Sequence, residues 1–272
     1  MRSPSDDHLE EAALARHLLR RGQVLGELVS SRLLSRVYKV YSLPYSSWLA
    51  LKISQFRGLD DIFDREIRIL NVSRDIWGIP FVRGDGTWQG KRYLFTDWIE
   101  GISVEEFITN DSRQRSLQSD LAMLAGISRL LLRLHERGVA HQDISPEHVI
   151  VKSDGSTWLV DFGIAAFNDR VAQDAGFCFS QDILSLGLLM TELLVGKLLF
   201  AYRRPQVVRQ MAPAFGRLCE RRLPSCVLNI VERALSVQRE FAAMYGPRFP
   251  YRNMAEFVQD LNDVCRNVAT DT

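Results

Sequence analysis

Residues 141–148 read His-Gln-Asp-Ile-Ser-Pro-Glu-His, and eighteen residues after the Asp at 143 comes Asp161-Phe-Gly163. Between them the sequence reads as a short strand pair. A loop carboxylate, a short strand pair and a second carboxylate at a tight turn form one supersecondary unit. Carboxylates are hard oxygen donors for divalent cations and also accept protons, so their spacing bears on chemistry as well as fold.

Working outward, the pattern divides the chain. Towards the N-terminus, residues 24–54 alternate and are rich in Val, Leu and Tyr, ending at Trp48-Leu-Ala-Leu-Lys-Ile53. Residues 60–71 read as a charged helix with Ile62, Ile67 and Leu70 on one face. Strands are expected at 81–83 and 92–98, joined through Gly84-Asp-Gly86 and Gln89-Gly90. Helical periodicity then takes over at 119–136, 182–196, 224–238 and 253–267. Ahead of the strands, residues 6–21 predict a short amphipathic helix using Leu9, Ala12, Ala13, Leu18 and Leu19, with Gly22 as its C-cap. The fold class is α+β: a strand-rich N-terminal part with one helix, then a helix-rich part, with the junction near residue 100. The expected organisation is a helical extension at 1–23, an N-lobe at 24–100 and a C-lobe at 101–272.

Composition narrows the partners. With 272 residues, 46% hydrophobic and 25% charged, the chain is an ordinary globular length and mixture. A formal net charge of +1 gives no polyelectrolyte signal, so nucleic acid is not an expected partner. The apolar runs are too short for a membrane span, and the N-terminus lacks the apolar core of a secretory signal. Cys178, Cys219, Cys226 and Cys265 show no metal-type Cys-x-x-Cys spacing and read as free thiols of a reducing compartment. A cytoplasmic location is expected, that of the source cell or of a host cell after export.

These motifs resemble the protein-kinase superfamily over roughly residues 24 to 267. The resemblance implies a bilobal kinase-like fold that binds ATP between its lobes with Mg2+ or Mn2+. Leu49-Ala-Leu-Lys52 resembles the family's third strand, with Lys52 meeting the α- and β-phosphates and Glu66 orienting it. Tyr93–Gly101 resembles the fifth strand and hinge. By that match Thr96 lies at the back of the nucleotide pocket, the backbones of Asp97 and Ile99 meet the adenine edge, and Ala50 and Ile150 sandwich the ring. Asp143 takes the place of the catalytic base and Asp161 that of a metal ligand. Asp182-Ile-Leu-Ser-Leu-Gly187 matches the helix whose Asp braces the catalytic loop, with His141, Phe162 and Leu70 as core of the internal spine.

Four departures qualify it. The phosphate-covering glycines are replaced by Ser30, Arg32 and Ser35, of which the two serines are small and can donate hydrogen bonds. His148 stands where the family has a metal-binding Asn, and imidazole suits softer transition metals better than Mg2+. Gln142 and Ser145 replace an Arg that pairs with a phosphorylated loop and a Lys near the γ-phosphate, so switching by activation-loop phosphorylation is not expected. Only twenty-one residues separate Asp161 from Asp182, with no Ala-Pro-Glu element for holding a peptide. Three readings follow: an atypical Ser/Thr protein kinase with a protein substrate or partner, a pseudokinase acting as a nucleotide-binding or scaffolding module, and a kinase of a small molecule or lipid. The first is favoured because Lys52, Glu66, Asp143 and Asp161 are all retained. Oligomeric state is left open.

Overall fold

The strand-rich half folds as a five-stranded antiparallel sheet in the order β1-β2-β3-β5-β4. The strands are β1 (Gln23–Ser31), β2 (Ser35–Ser42), β3 (Ser47–Ser54), β4 (Val82–Trp88) and β5 (Lys91–Asp97). A computed structural model of the chain describes residues 4–110, 116–167, 175–200, 207–238, 241–242 and 250–270. By contacts it separates into two compact units, residues 1–74 with 80–99, and residues 75–79 with 100–272.

Alternation along β3 gives this sheet two working faces. Leu49, Leu51 and Ile53 point to one side and join a core with Tyr38, Val40, Trp88, Tyr93 and Phe95. That face is covered by helix α1 (Pro4–Leu19) through Leu14 and Leu18. Ion pairing of Lys91 with Glu10, and a hydrogen bond from Arg21 to the Tyr93 hydroxyl, tie the helix to β5. The face expected for α1 is corrected: Leu9, Ala12 and Leu19 are exposed, Ala13 and Leu18 do pack, and Leu14 was missed. Removing the fully buried Leu18 side chain as Leu18→Ala is expected to cost about 2–5 kcal/mol, through lost transfer energy and the cavity left behind. The exposed neighbour, Leu19→Ala, should stay within about 0.5 kcal/mol of wild type. Denaturant unfolding of the two variants side by side makes the check; equal losses would show that α1 does not dock as described.

Lys52 lies on the opposite face of β3, with helix α2 (Asp60–Val72). Of the expected Ile62, Ile67 and Leu70, only Leu70 lies on the buried face of α2, together with Phe63, Glu66 and Ile69. An acidic residue is thus part of the inward stripe, and Ile62 and Ile67 are half-buried at its flank.

A second correction concerns the β4–β5 hairpin. Gly84-Asp-Gly86 is not its turn but part of β4, where Gly86 pairs with Tyr93. A Cβ on Gly86 would come within 2.5 Å of the Tyr93 hydroxyl oxygen, so the glycine makes room for a cross-strand ring. The turn itself is Gln89-Gly90, with φ of 51° and 76°, the pair of left-handed residues a two-residue hairpin needs.

The second unit is built on helices α4 (Leu117–Glu136), α5 (Ala175–Val195), α6 (Val207–Cys219), α7 (Ser225–Leu235) and α8 (Met254–Thr270), after a short α3 (Val104–Thr109). The first turn of α4 is closed by a reciprocal capping pair, Ser116 and Ser119. Leu121, Leu124, Ile127, Leu131 and Leu134 of α4 form its inward stripe at spacings of three and four. Two small sheets complete the unit, β6 (Ile102–Ser103) with β8 (Val149–Val151) and β9 (Thr157–Leu159), and β7 (Val139–Ala140) with β10 (Ala166–Phe167). The segment 75–79 packs within this unit. Gly78, at φ 104°, accepts a hydrogen bond from Leu159 N–H at 2.9 Å, and Trp77 stacks edge-on against Trp158. Cys219, Cys226 and Cys265 are free thiols; the expectation for Cys178 concerns a side chain outside the described ones. Among the described residues no helix is long and apolar enough to cross a membrane.

Candidate active site

In the first unit, Lys52 Nζ donates to both carboxylate oxygens of Glu66 at 3.0 and 2.9 Å. The pair is largely out of water, with side-chain exposures of 15% and 4%. Burying two charges is costly unless the geometry is good, and a bidentate contact meets that condition. It forms because β3 directs Lys52 to the α2 side and the α2 period brings Glu66 inward with Phe63 and Ile69.

The other expected nucleotide residues of this unit lie on the same strands. Ala50 pairs with Thr96, and Thr96 with Val82, all half-buried at most. Asp97 N–H donates to Phe81 O at 3.1 Å. The Asp97 carboxylate is also committed, accepting from Phe81 N–H at 3.1 Å and Arg83 Nε at 2.5 Å. Ile99 is half-buried at the end of the unit. Ser30 pairs with Val37 and Ser35 with Ser54, on either side of a turn closed by Arg32 N–H to Ser35 O at 2.9 Å. None of residues 30, 32 and 35 has positive φ, so this hairpin closes without glycine.

In the second unit the loop after β7 is held from α5. The fully buried Asp182 accepts backbone N–H bonds from His141 at 2.9 Å and Gln142 at 2.7 Å, and meets His135 Nε2 at 2.8 Å. Gln142 adopts φ 63°, a left-handed conformation that costs a residue with a Cβ about 1–2 kcal/mol. That backbone turns two successive N–H groups onto one carboxylate. His141 is buried against Phe162 with ring centroids 4.6 Å apart, and burial lowers its pKa. Its Nδ1 accepts from Asp143 N–H at 3.3 Å, and its Nε2 is buried with no hydrogen-bond partner among the described residues.

Asp161 reaches the same place through backbone geometry. Val160 N–H donates to His148 O at 3.0 Å, which ties the end of β9 to the loop. Asp161 itself has φ 62°, and its Oδ1 accepts from Gly163 N–H at 3.2 Å. Asp143, His148 and Asp161 thereby form a cluster whose donor atoms all lie within 4.8 Å of one another. Asp143 and His148 are buried, at 8% and 5% exposure, and Asp161 is half-buried. Ile150 is half-buried on β8, opposite Trp158. One histidine nitrogen with carboxylate oxygens fits a divalent cation, but one that accepts nitrogen. Glu147, whose Oε1 lies 3.6 Å from His148 Nε2, was not singled out from the sequence. A glutamate beside a loop histidine carries no pattern until the loop is folded.

Comparisons with known proteins find similarity to kinases. The model of the lipopolysaccharide kinase (Kdo/WaaP) family matches residues 80–175, which contain Asp143, His148 and Asp161. A probable serine/threonine-protein kinase of Clostridium perfringens is 23% identical over 89% of this chain and 39% of its own length. A serine/threonine-protein kinase of Arabidopsis thaliana is 26% identical over 72% of this chain and 48% of its own. The serine/threonine-protein kinase PknI of Mycobacterium tuberculosis is 26% identical over 57% of this chain and 28% of its own. The chain thus spans less than half the length of these relatives. Fold, paired residues and comparisons together define a protein of protein-kinase-like class.

Proposed function

We propose that the chain is an ATP-dependent phosphotransferase that moves the γ-phosphoryl group to a hydroxyl, with Ser or Thr of a protein as acceptor. The observation that carries this reading is the bidentate Lys52–Glu66 pair. A buried ion pair is a poor stabiliser compared with apolar packing, so a scaffold gains little by keeping one. A phosphotransferase gains an oriented ammonium for nucleotide phosphates.

In this reading Lys52 meets the α- and β-phosphates, and the hydroxyls of Ser30 and Ser35 add donors near them. Ala50 and Ile150 flank the adenine, Thr96 lies behind it, and the backbones of Asp97 and Ile99 meet its edge. Asp143 accepts the proton of the incoming hydroxyl. Asp161 and His148 hold the divalent metal, which neutralises phosphate charge when bound.

A sugar or lipid-linked hydroxyl is the second reading. It is favoured by the lipopolysaccharide kinase match and by the short interval between Asp161 and Asp182, whose residues 168–174 lie outside the described residues. One assay separates the readings: radiolabelled ATP with basic and acidic model proteins in one arm and lipopolysaccharide core sugar in the other, each blanked with Asp143→Asn. Label on Ser or Thr of protein above the blank supports the first reading, and label on sugar alone transfers the proposal to the second. No label above the blank in either arm, with ATP still bound, would make the chain a nucleotide-binding module without phosphotransfer.

A further inference from the structure

His148 has its two ring nitrogens in different surroundings. Nδ1 lies 2.8 Å from the Asp143 backbone carbonyl oxygen and 3.1 Å from Ser145 Oγ. A carbonyl oxygen only accepts, so Nδ1 carries the proton and donates to it. Nε2 is then the nitrogen with the lone pair. It faces Asp161 Oδ2 at 3.5 Å and Glu147 Oε1 at 3.6 Å, whereas the Asp143 carboxylate lies on the Nδ1 side, with its Oδ2 3.5 Å from that nitrogen.

This is how a metal-binding histidine is usually presented. Its other nitrogen donates to a backbone carbonyl, which sets both tautomer and ring orientation. Metal–nitrogen and metal–oxygen bonds of about 2.1 Å at 90–110° place two donors about 3.0–3.4 Å apart. The Nε2–Oδ2 separation is close to that span. Asp143, though on the Nδ1 side, still keeps a carboxylate oxygen within 4.8 Å of the other two donor groups.

We infer that His148 Nε2 and Asp161, with the Asp143 carboxylate in the same cluster, form a site for a first-row transition dication, in preference to Mg2+, that is assembled before any nucleotide binds. The inference rests on the phosphotransferase reading only for what the metal later does, since all three ligands belong to the second unit. Mg2+ takes oxygen donors and keeps its waters, so an imidazole contributes little to it. For Mn2+ and Co2+ the nitrogen adds affinity, in the order in which such sites normally rank these ions.

The test is a calorimetric titration of nucleotide-free protein with Mg2+, Mn2+ and Co2+, together with the visible absorption of bound Co2+. One site is expected, with Co2+ tighter than Mn2+ and Mg2+ at least about tenfold weaker than Mn2+. Asp161→Asn should lose this site, and His148→Asn should weaken Co2+ by about 10–100-fold while barely changing Mg2+. Equal affinities for Mg2+ and Co2+ in the unmodified protein would overturn the inference without recourse to a variant. Undiminished Co2+ binding by Asp161→Asn or His148→Asn would do the same, marking the ion as held elsewhere. ATP binding, followed separately by thermal shift without metal, distinguishes the two proposals. Metal selectivity with no ATP binding leaves this site standing and removes the kinase reading; the reverse outcome does the opposite.

Discussion

Asp143→Asn is expected to lower phosphotransfer by about 10²–10⁴-fold, the usual contribution of a positioned general base. The exchange keeps the size and shape of the side chain but removes its ability to take the acceptor's proton. Asp143 is held by its own backbone, through its N–H to His141 and its carbonyl to His148, and neither bond involves the carboxylate. Unfolding midpoint and ATP affinity should therefore stay close to wild type while turnover collapses. Single-turnover transfer with saturating ATP makes the measurement. Turnover within threefold of wild type would remove Asp143 from the base role.

Lys52→Met should have the complementary signature. Hydrogen bonds to charged groups are worth about 1.5–3 kcal/mol, so loss of the ammonium predicts ATP binding weaker by about 10–150-fold. Glu66, only 3% exposed, would also lose the ammonium that now satisfies both its oxygens, and the first unit should be destabilised. Adding Glu66→Gln removes the stranded charge and should recover stability without recovering ATP affinity. The readout is the thermal shift at increasing ATP, since a ligand stabilises by RT ln(1 + [L]/Kd), about 2.7 kcal/mol at a hundredfold excess over Kd. Unaltered ATP affinity in the double variant would sink the assignment of Lys52 to the nucleotide.

The residues of the proposed site in the second unit can be grouped from sequence for a local reason. Asp143, His148 and Asp161 are brought together by one loop, a 3₁₀ turn at Pro146–His148 and a hairpin whose strands pair Val149 with Leu159 and Val151 with Thr157. Short-range geometry of that kind is written in turn residues and spacing. The strand order of the first unit was less legible, because period-2 alternation does not say which strand is the neighbour. Helix α6 escaped notice because Pro213 interrupts its interior, where a proline normally argues against a helix.

From sequence alone follow the α+β division, the strands around Lys52 and the carboxylate spacing, all products of local pattern and chain length. Only the tertiary structure decided which faces are buried. Leu14 rather than Leu9 docks on the sheet, and Glu66 rather than Ile62 turns inward, because strand β3 presents an apolar face to one helix and an ammonium to the other. It alone likewise decided the state of His148, since the carbonyl that holds the proton on Nδ1 belongs to a residue five positions away in a folded loop. Residue type determines which atoms can donate or accept; the partner that selects between two nitrogens exists only once the backbone has turned.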